Sequence, residues 1–393
     1  MGINEYQVIV SDNDAPSRDM LAFEKGLHDN DLVRLVLERA KTAREGVDVI
    51  AALVPKFGQA WNGIMFEIGD PKEIWVVAIT GPRWVAKKYT DTVTARSNQY
   101  QIRDDYDLAS PDLISFAVKQ GWAPAGTKRI DFTKVYATDD LYPEDNDLAK
   151  RTSAETMYNT EIRYQRAMEL LKGKEGKLVT QDFMAFARDL YDSYTLPDGT
   201  VIDMKQTPFY SSELMDWKEW QAHKPEGVMT DKHIYIRAIC DMGVEDGTAT
   251  SAVMIARPDV PNELGLMLHA FMPPCNSVYV PFYVGITDVD NRYKGPEAAA
   301  AFQLIKARAF TQYTTYHAAI RKAFDPFEAQ LFPDMAEAEA QFMATAKAGD
   351  QAAAVAQLTG FVRDKSVQAL DLTQVAQDYM TQVAKADSTW TRR

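Results

Sequence analysis

The first sixty residues alternate between a strand-like pattern and two helical stripes. Residues 3–10 predict a strand with Val8 and Val10 on one face. Residues 32–57 predict two helices joined as an αα-hairpin, because their apolar positions recur at helical spacing. Thr42 and Glu45 form a capping box that predicts the start of the second helix.

From Gly63 to Asn98 the apolar positions take the spacing of strands, with turns at Gly69-Asp70-Pro71 and Gly81-Pro82. Such short connections predict an antiparallel meander rather than βαβ units. Its four strands are predicted at 63–68, 73–79, 83–89 and 93–98. Ser110 and Pro111 then predict a helix over 112–120, which Gly121 ends.

The second half of the chain predicts helices, then strands, then helices again. Helices are expected at 154–171 and 181–191, and an aromatic-rich excursion at 193–230. Further strands are expected at 233–239, 248–255, 264–271 and 277–284. The final third is helical over 296–324, 334–357 and 373–386, with many alanines in the middle segment.

Two groups of antiparallel strands flanked by helices predict an α+β fold of the layered type, helix on sheet on sheet on helix. No internal repeat and no linker divides the pattern, so 1–393 is expected to form one domain. Residues 296–393 are then the helical C-terminal part of that domain.

Composition and charge narrow the function classes. The 393 residues carry 43 Lys and Arg against 56 Asp and Glu, a net charge of −13. This acidic balance, without a basic patch interleaved with aromatics, argues against a nucleic-acid partner. The chain contains no apolar run long enough for a membrane span, and its first residues do not resemble a signal peptide. Two cysteines in so long a chain favour a reducing compartment, so a cytoplasmic location is expected.

Common catalytic motifs are missing from the sequence. The five histidines lack the spacing of a zinc helix, and there is no nucleophile elbow, P-loop or dinucleotide fingerprint. No metal and no cofactor are therefore expected. Cys240 and Cys275 have no adjacent histidine that would lower the thiol pKa. Both are expected to be buried or half-buried thiols, and neither is expected to be a nucleophile.

Amide and guanidinium side chains remain as candidates for chemistry. Asn4 lies at the beginning of the chain, Asn98 ends a predicted strand, and Arg163 and Arg166 share a helix face. An asparagine amide can donate to a developing oxyanion, and an arginine can hold a carboxylate. Each of these residues is structural more often than catalytic, so spacing alone leaves their roles open.

An ordered set of segments resembles the dipeptidase A group of cysteine peptidases, to which the secernins also belong. The resemblance spans most of the chain and is strongest before residue 125. It rests on GINEY at 2–6, 31–50, FEIGDPKEIWVV at 66–77, RWVAKK at 83–88, SNQYQI at 97–102, 110–122, 158–171 and SVYVPFYVGI at 277–286.

The resemblance implies the fold and chemistry of N-terminal-nucleophile hydrolases. The fold is an αββα four-layer sandwich, and an N-terminal cysteine attacks the amide carbonyl with its own α-amine as base. Asn4 in the motif Gly2-Ile3-Asn4-Glu5 corresponds to an oxyanion donor. Asn98 corresponds to a second supporting asparagine. Arg163, with Arg166 as the other candidate, corresponds to an arginine near the nucleophile.

The resemblance also implies a departure, because the family's nucleophilic cysteine precedes the motif with which this chain begins. The leading hypothesis is a dipeptidase-like hydrolase that lacks its nucleophile segment and cleaves dipeptides once that segment is supplied. An incomplete first sheet would leave an open edge that favours pairing between copies, as in a homo-oligomer. Two alternatives stay open: an inactive binding or regulatory homologue, and an amidase acting on non-peptide acyl amides.

Overall fold

The structure, a computed structural model, divides the chain into two compact units. The first consists of Met1–Leu178 with Met254–Gly265, and the second of Val179–Val253 with Leu266–Arg393. The structure describes residues 1–137, 160–190, 193–195, 201–203, 239–240, 248–311 and 313–386. Helices and antiparallel strands occur together in these residues, which confirms the α+β class. One domain over 1–393 and the four-layer order remain predictions.

The described strands form a six-stranded sheet, a three-stranded sheet and a two-stranded hairpin. The large sheet has the order β1-β2-β3-β4-β5-β6, and each neighbouring pair is antiparallel. The three-stranded sheet has the order β11-β10-β9. The strands are β1 Gly2–Ile3, β2 Ile9–Ala15, β3 Gly63–Gly69, β4 Ile74–Thr80, β5 Arg83–Tyr89, β6 Leu108–Ala109, β7 Ser193–Thr195, β8 Val201–Asp203, β9 Thr250–Ile255, β10 Leu266–Phe271 and β11 Val280–Tyr283.

The described helices are short in the first unit and long at the C-terminal end. They are α1 Asp29–Arg39, α2 Ala43–Phe57, α3 Leu113–Lys119, α4 Phe132–Tyr136, α5 Thr160–Leu171, α6 Thr180–Ala187, α7 Asn291–Lys294, α8 Pro296–Thr311, α9 Tyr313–Lys347 and α10 Gln351–Ala386. The helical final third is confirmed, but its boundaries differ from the prediction. Helix α9 continues through 325–333, and the break between α9 and α10 falls inside the predicted helix 334–357. The predicted N-cap at Thr42 is confirmed, since Thr42 Oγ1 accepts from the Glu45 amide at 3.1 Å. The reciprocal bond of a capping box differs, because the Glu45 carboxylate accepts from the Lys41 amide at 2.8 Å instead of from that of Thr42.

The large sheet is packed on both faces, and the polar residues of β2 and Glu67 of β3 are half-buried within it. Alternate strand residues such as Phe66 and Val77 pack against α1 and α2. The intervening residues, such as Met65 and Val76, pack against Tyr100, α3 and α4. A polar side chain on either face of β3 is therefore placed among apolar neighbours.

The second unit buries its sheet against the long helices. Val280 on β11 and Phe302 on α8 share a core with Phe324 on α9. Ala369 and Ala376 of α10 are fully buried in the same core. Small side chains at these positions let α10 approach its neighbours closely.

Several predictions differ from the structure. Residues 3–10 are not one strand: β1 and β2 form a hairpin whose turn includes Gln7 at a φ of 61°. Residues 93–98 form a loop after β5 instead of a strand. Most of the predicted strand at 233–239 and of the excursion at 193–230 lies outside the described residues.

The two cysteines also differ from the prediction. Cys240 and Cys275 form a disulfide in the second unit, so they are not free thiols. Cysteine usage therefore no longer favours a reducing compartment, and the cytoplasmic location stays a prediction. Among the described helices, none has the length and apolar character needed to cross a membrane.

Candidate active site

Asn4 fixes the β1–β2 turn to the end of α1. Its side chain is 8% exposed, and Nδ2 donates to the carbonyl of Leu37 at 3.0 Å and to that of Ala40 at 2.7 Å. Its Oδ1 accepts from the amides of Tyr6 at 3.0 Å and Val8 at 2.9 Å. Both N–H groups of the amide are thus engaged with backbone carbonyls in this conformation. The role of Asn4 as an oxyanion donor stays a prediction.

Asn98 and Arg163 are brought together although 65 residues separate them. Arg163, on α5, donates from Nη2 to Asn98 Oδ1 at 2.7 Å. Because the guanidinium holds the oxygen of the amide, Asn98 Nδ2 is the part of the side chain that can donate to a substrate carbonyl. This geometry suits the supporting role predicted for Asn98.

Arg166 lies on the same helix but makes a different contact. Its Nη1 donates to Glu169 Oε2 at 2.9 Å, an ion pair within the helix. The described contacts therefore link Arg163 to Asn98, whereas they link Asn4 to α1 and Arg166 to Glu169. The role of either arginine near a nucleophile stays a prediction.

A polar cluster that the sequence pattern does not predict lies on β2, β3 and the loop after β5. Ser11 and Glu67 are paired across β2 and β3, and Ser11 Oγ donates to Glu67 Oε2 at 2.8 Å. Two residues further along β2, Asn13 Nδ2 donates to the carbonyl of Ser97. The Ser97 amide in turn donates to Gln101 Oε1 at 3.3 Å. These contacts tie the loop that carries Asn98 to the face of the sheet.

Four polar atoms in this cluster are shielded from solvent and have no hydrogen-bond partner in the structure. They are Glu67 Oε1, Arg96 Nε, Ser97 Oγ and Gln101 Nε2. Glu67 as a whole is half-buried, and burial raises the pKa of its carboxyl to about 7. The hydrogen bond from Ser11 and the charge of Arg96 oppose this rise only in part.

A signal for Glu67 is present in the sequence. It is the one charged residue in the segment 63–69, between Phe66 and Ile68. Charged side chains are rarely placed in a strand with two buried faces unless they are paired or functional. The alternation of the strand alone does not distinguish this case from a residue that faces water.

A comparison with models of protein families shows to which family this chain belongs. The family model described as peptidase family C69 matches residues 4–330, which include the Asn98–Arg163 contact and the polar cluster. This chain belongs to peptidase family C69. The predicted resemblance to the dipeptidase A and secernin group is confirmed.

Two curated C69 relatives have names that report an activity. A probable dipeptidase of Latilactobacillus sakei is 25% identical over 314 residues, which are 75% of this chain and 59% of that protein. A probable dipeptidase of Salmonella dublin is 24% identical over 298 residues, 73% of this chain and 61% of that protein. The chain thus spans about three fifths of the length of these relatives.

The second unit of this C69 chain contains a buried charge network beside a cavity of about 660 Å³. Glu328 accepts from Arg188 Nη2 at 2.5 Å, from Arg321 Nη2 at 3.1 Å and from the Tyr279 amide at 2.9 Å. The cavity is lined by Gln181, Met184, Ala185, Arg188, Asp325, Glu328, Ala329, Phe332 and Pro333. Since the carboxylate is fully engaged, this network is a structural element of the unit.

In the described residues, no group of three or more His, Cys, Asp or Glu side chains could hold a metal ion.

Proposed function

We propose that this C69 chain is a dipeptidase-like amide hydrolase of the N-terminal-nucleophile type. The observation that carries the proposal is the 2.7 Å bond from Arg163 to Asn98, because it leaves the Asn98 amide hydrogens available for a substrate oxygen. Membership of family C69 and the dipeptidase names of the relatives support the choice of a peptide bond as the target.

In the proposed reaction, a cysteine thiolate attacks the carbonyl carbon of the dipeptide and the carbonyl oxygen becomes an oxyanion. Asn98 Nδ2 donates to that oxygen, and Arg163 keeps the amide in the orientation that makes this possible. Collapse of the intermediate releases the C-terminal amino acid, and water hydrolyses the thioester. Cys240 and Cys275 are joined in a disulfide, so the proposed thiolate is neither of them.

The experiment compares two proteins: the 393-residue chain, and the same chain extended by a cysteine-led segment from a C69 relative. Dipeptide cleavage is measured as release of free amino acids. We expect turnover only in the extended protein, and Asn98→Ala should lower it by a factor of about 10²–10³. The exposed Asn262→Ala is the matched control and should leave turnover unchanged.

Two results would count against the proposal. Full turnover by the 393-residue chain, with its disulfide intact, would contradict the N-terminal thiol mechanism. Cleavage of simple acyl amides in preference to every dipeptide would favour the amidase alternative.

A further inference from the structure

The polar cluster around Glu67 is incomplete as the described structure presents it. Buried polar atoms are nearly always hydrogen-bonded, to the protein, to water or to a ligand. Here four such atoms without a partner lie on β3 and on one short loop: Glu67 Oε1, Arg96 Nε, Ser97 Oγ and Gln101 Nε2. These four atoms belong to one polar cluster, so a single ligand placed there would supply partners for them together.

The carboxyl group of Glu67 has a hydroxyl partner but no paired cation. Ser11 donates to Oε2, whereas no ion pair in the described part of the chain involves Glu67. Arg96 is near enough to act on Glu67 electrostatically, but its Nη1 and Nη2 already donate to Thr94, Ala95 and Tyr89. A buried carboxylate in this state is stabilised by a ligand that carries a positive charge.

The remaining unpartnered atoms define the other half of the ligand. Arg96 Nε and Gln101 Nε2 are donors, and Ser97 Oγ can donate or accept. A complementary ligand therefore has a cationic N–H group at one end and oxygen acceptors close to it. An amino acid or a dipeptide with a free α-ammonium group has this chemistry.

The cluster is also adjacent to the candidate catalytic contact. Ser97 is the chain neighbour of Asn98, whose Oδ1 is held by Arg163. Asn13 fastens Ser97 to β2, two residues from Ser11 on the same face.

We propose that Glu67 binds the free α-ammonium group of a dipeptide substrate, with Arg96 and Gln101 donating to its oxygen atoms. The proposal rests on the proposed function, since it gives that site a preference for substrates with an unblocked amino terminus. Glu67 is then a specificity-determining residue, and an N-acetylated dipeptide lacks the charge that it recognises.

Calorimetric titration of the intact chain with Ala-Ala and with N-acetyl-Ala-Ala tests the proposal without depending on turnover. We expect Ala-Ala to bind more tightly than its acetylated form. Glu67→Gln should weaken Ala-Ala binding by about 10- to 100-fold and leave N-acetyl-Ala-Ala unchanged. Glu73→Gln is the matched control in the same sheet, because Glu73 is bonded to Trp75 and Lys88 at the end of β3 and β4, and it should change neither affinity.

A second variant separates charge recognition from local disruption. Ser11→Ala removes the hydroxyl but keeps the carboxylate, so it should retain the preference for Ala-Ala. The proposal is overturned if wild type binds neither ligand or both equally, or if Glu67→Gln keeps the preference. It is also overturned if Ser11→Ala loses the preference as completely as Glu67→Gln. Glu67-dependent binding without dipeptide cleavage by the extended protein would reject the proposed function and retain this site, whereas cleavage by the extended protein without Glu67 dependence would do the reverse.

Discussion

Replacing Glu67 by glutamine should change how the stability of the protein depends on pH. The side chain lies on β3 with Ser11 donating to one oxygen, Arg96 nearby and Asp12 on the neighbouring strand. Burial raises the pKa of the carboxyl from its ordinary value of 4.5 to about 7, and the charge of Asp12 adds to the rise. Glutamine has nearly the same shape and carries no charge at any pH.

The direction of the effect follows from where each state of the protein loses the proton. The unfolded chain releases it near pH 4.5, whereas the folded protein keeps it until about pH 7. The folded state therefore binds more protons between these values, and its stability falls as the pH rises through this window. A difference of about 2.5 pKa units corresponds to about 3 kcal/mol lost by pH 8 in the wild type. The Glu67→Gln variant does not lose this stability, because glutamine carries no charge at any pH.

Urea unfolding followed by circular dichroism at pH 5 and pH 8 measures the difference. Other carboxyls with a raised pKa, such as Asp12, Asp14 and Asp19, remain in both proteins and contribute to both curves. We expect Glu67→Gln to gain about 2–3 kcal/mol relative to wild type between the two pH values. Glu73→Gln should show no such gain, because hydrogen bonding from Lys88 lowers the pKa of Glu73. Identical pH dependence in wild type and Glu67→Gln would refute the reasoning.

Three further changes test other parts of the structure. Asn4→Ala removes a buried amide that makes four hydrogen bonds, and it should cost about 2–4 kcal/mol in urea unfolding, against no change for Asn262→Ala. Reducing the Cys240–Cys275 disulfide, which spans 35 positions, should lower the stability of the second unit by about 3–4 kcal/mol, and an unchanged Tm would contradict this. Glu328→Gln leaves two arginines facing a neutral amide and should cost about 3 kcal/mol, whereas an unaltered unfolding curve would show that the network is not stabilising.

The strands and helices with strong periodicity could be predicted from the sequence. Some of the turns between them could not. The meander at β3, β4 and β5 has its predicted order because apolar alternation and Gly-Pro turns agree there. The hairpin of β1 and β2 was missed because its turn contains no glycine at the left-handed position. Gln7 takes that conformation instead, and the side chain of Asn4 supplies the hydrogen bonds of the turn. Neither Gln7 nor Asn4 interrupts the apolar pattern, so the pattern does not indicate this turn.

The candidate site was only partly predictable for a different reason. Contacts such as Arg163 to Asn98 join residues that are far apart in the chain, so no periodicity can indicate them. The family resemblance indicated both residues, because motifs preserve positions that folding brings together. It gave no indication of Glu67, whose partners Ser11 and Arg96 come from two other segments. The disulfide was missed because each cysteine lacks a local signal of its partner.

The resemblance implies an oxyanion donor at Asn4 and a supporting asparagine at Asn98, and the two side chains differ in where their hydrogen-bonding atoms point. The Asn4 amide donates one hydrogen to the carbonyl of Leu37 in the last turn of α1 and the other to that of Ala40 just after the helix. Removing this side chain is therefore expected to lower the stability of the fold. Asn98 has its oxygen held by Arg163, so its removal acts on whatever Nδ2 donates to. In the extended, active protein, Asn98→Ala should therefore lower kcat with little loss of stability, while Asn4→Ala should lower stability and reduce activity only in proportion to the fraction unfolded. Equal loss of kcat in fully folded samples of both variants would instead assign both amides to the oxyanion.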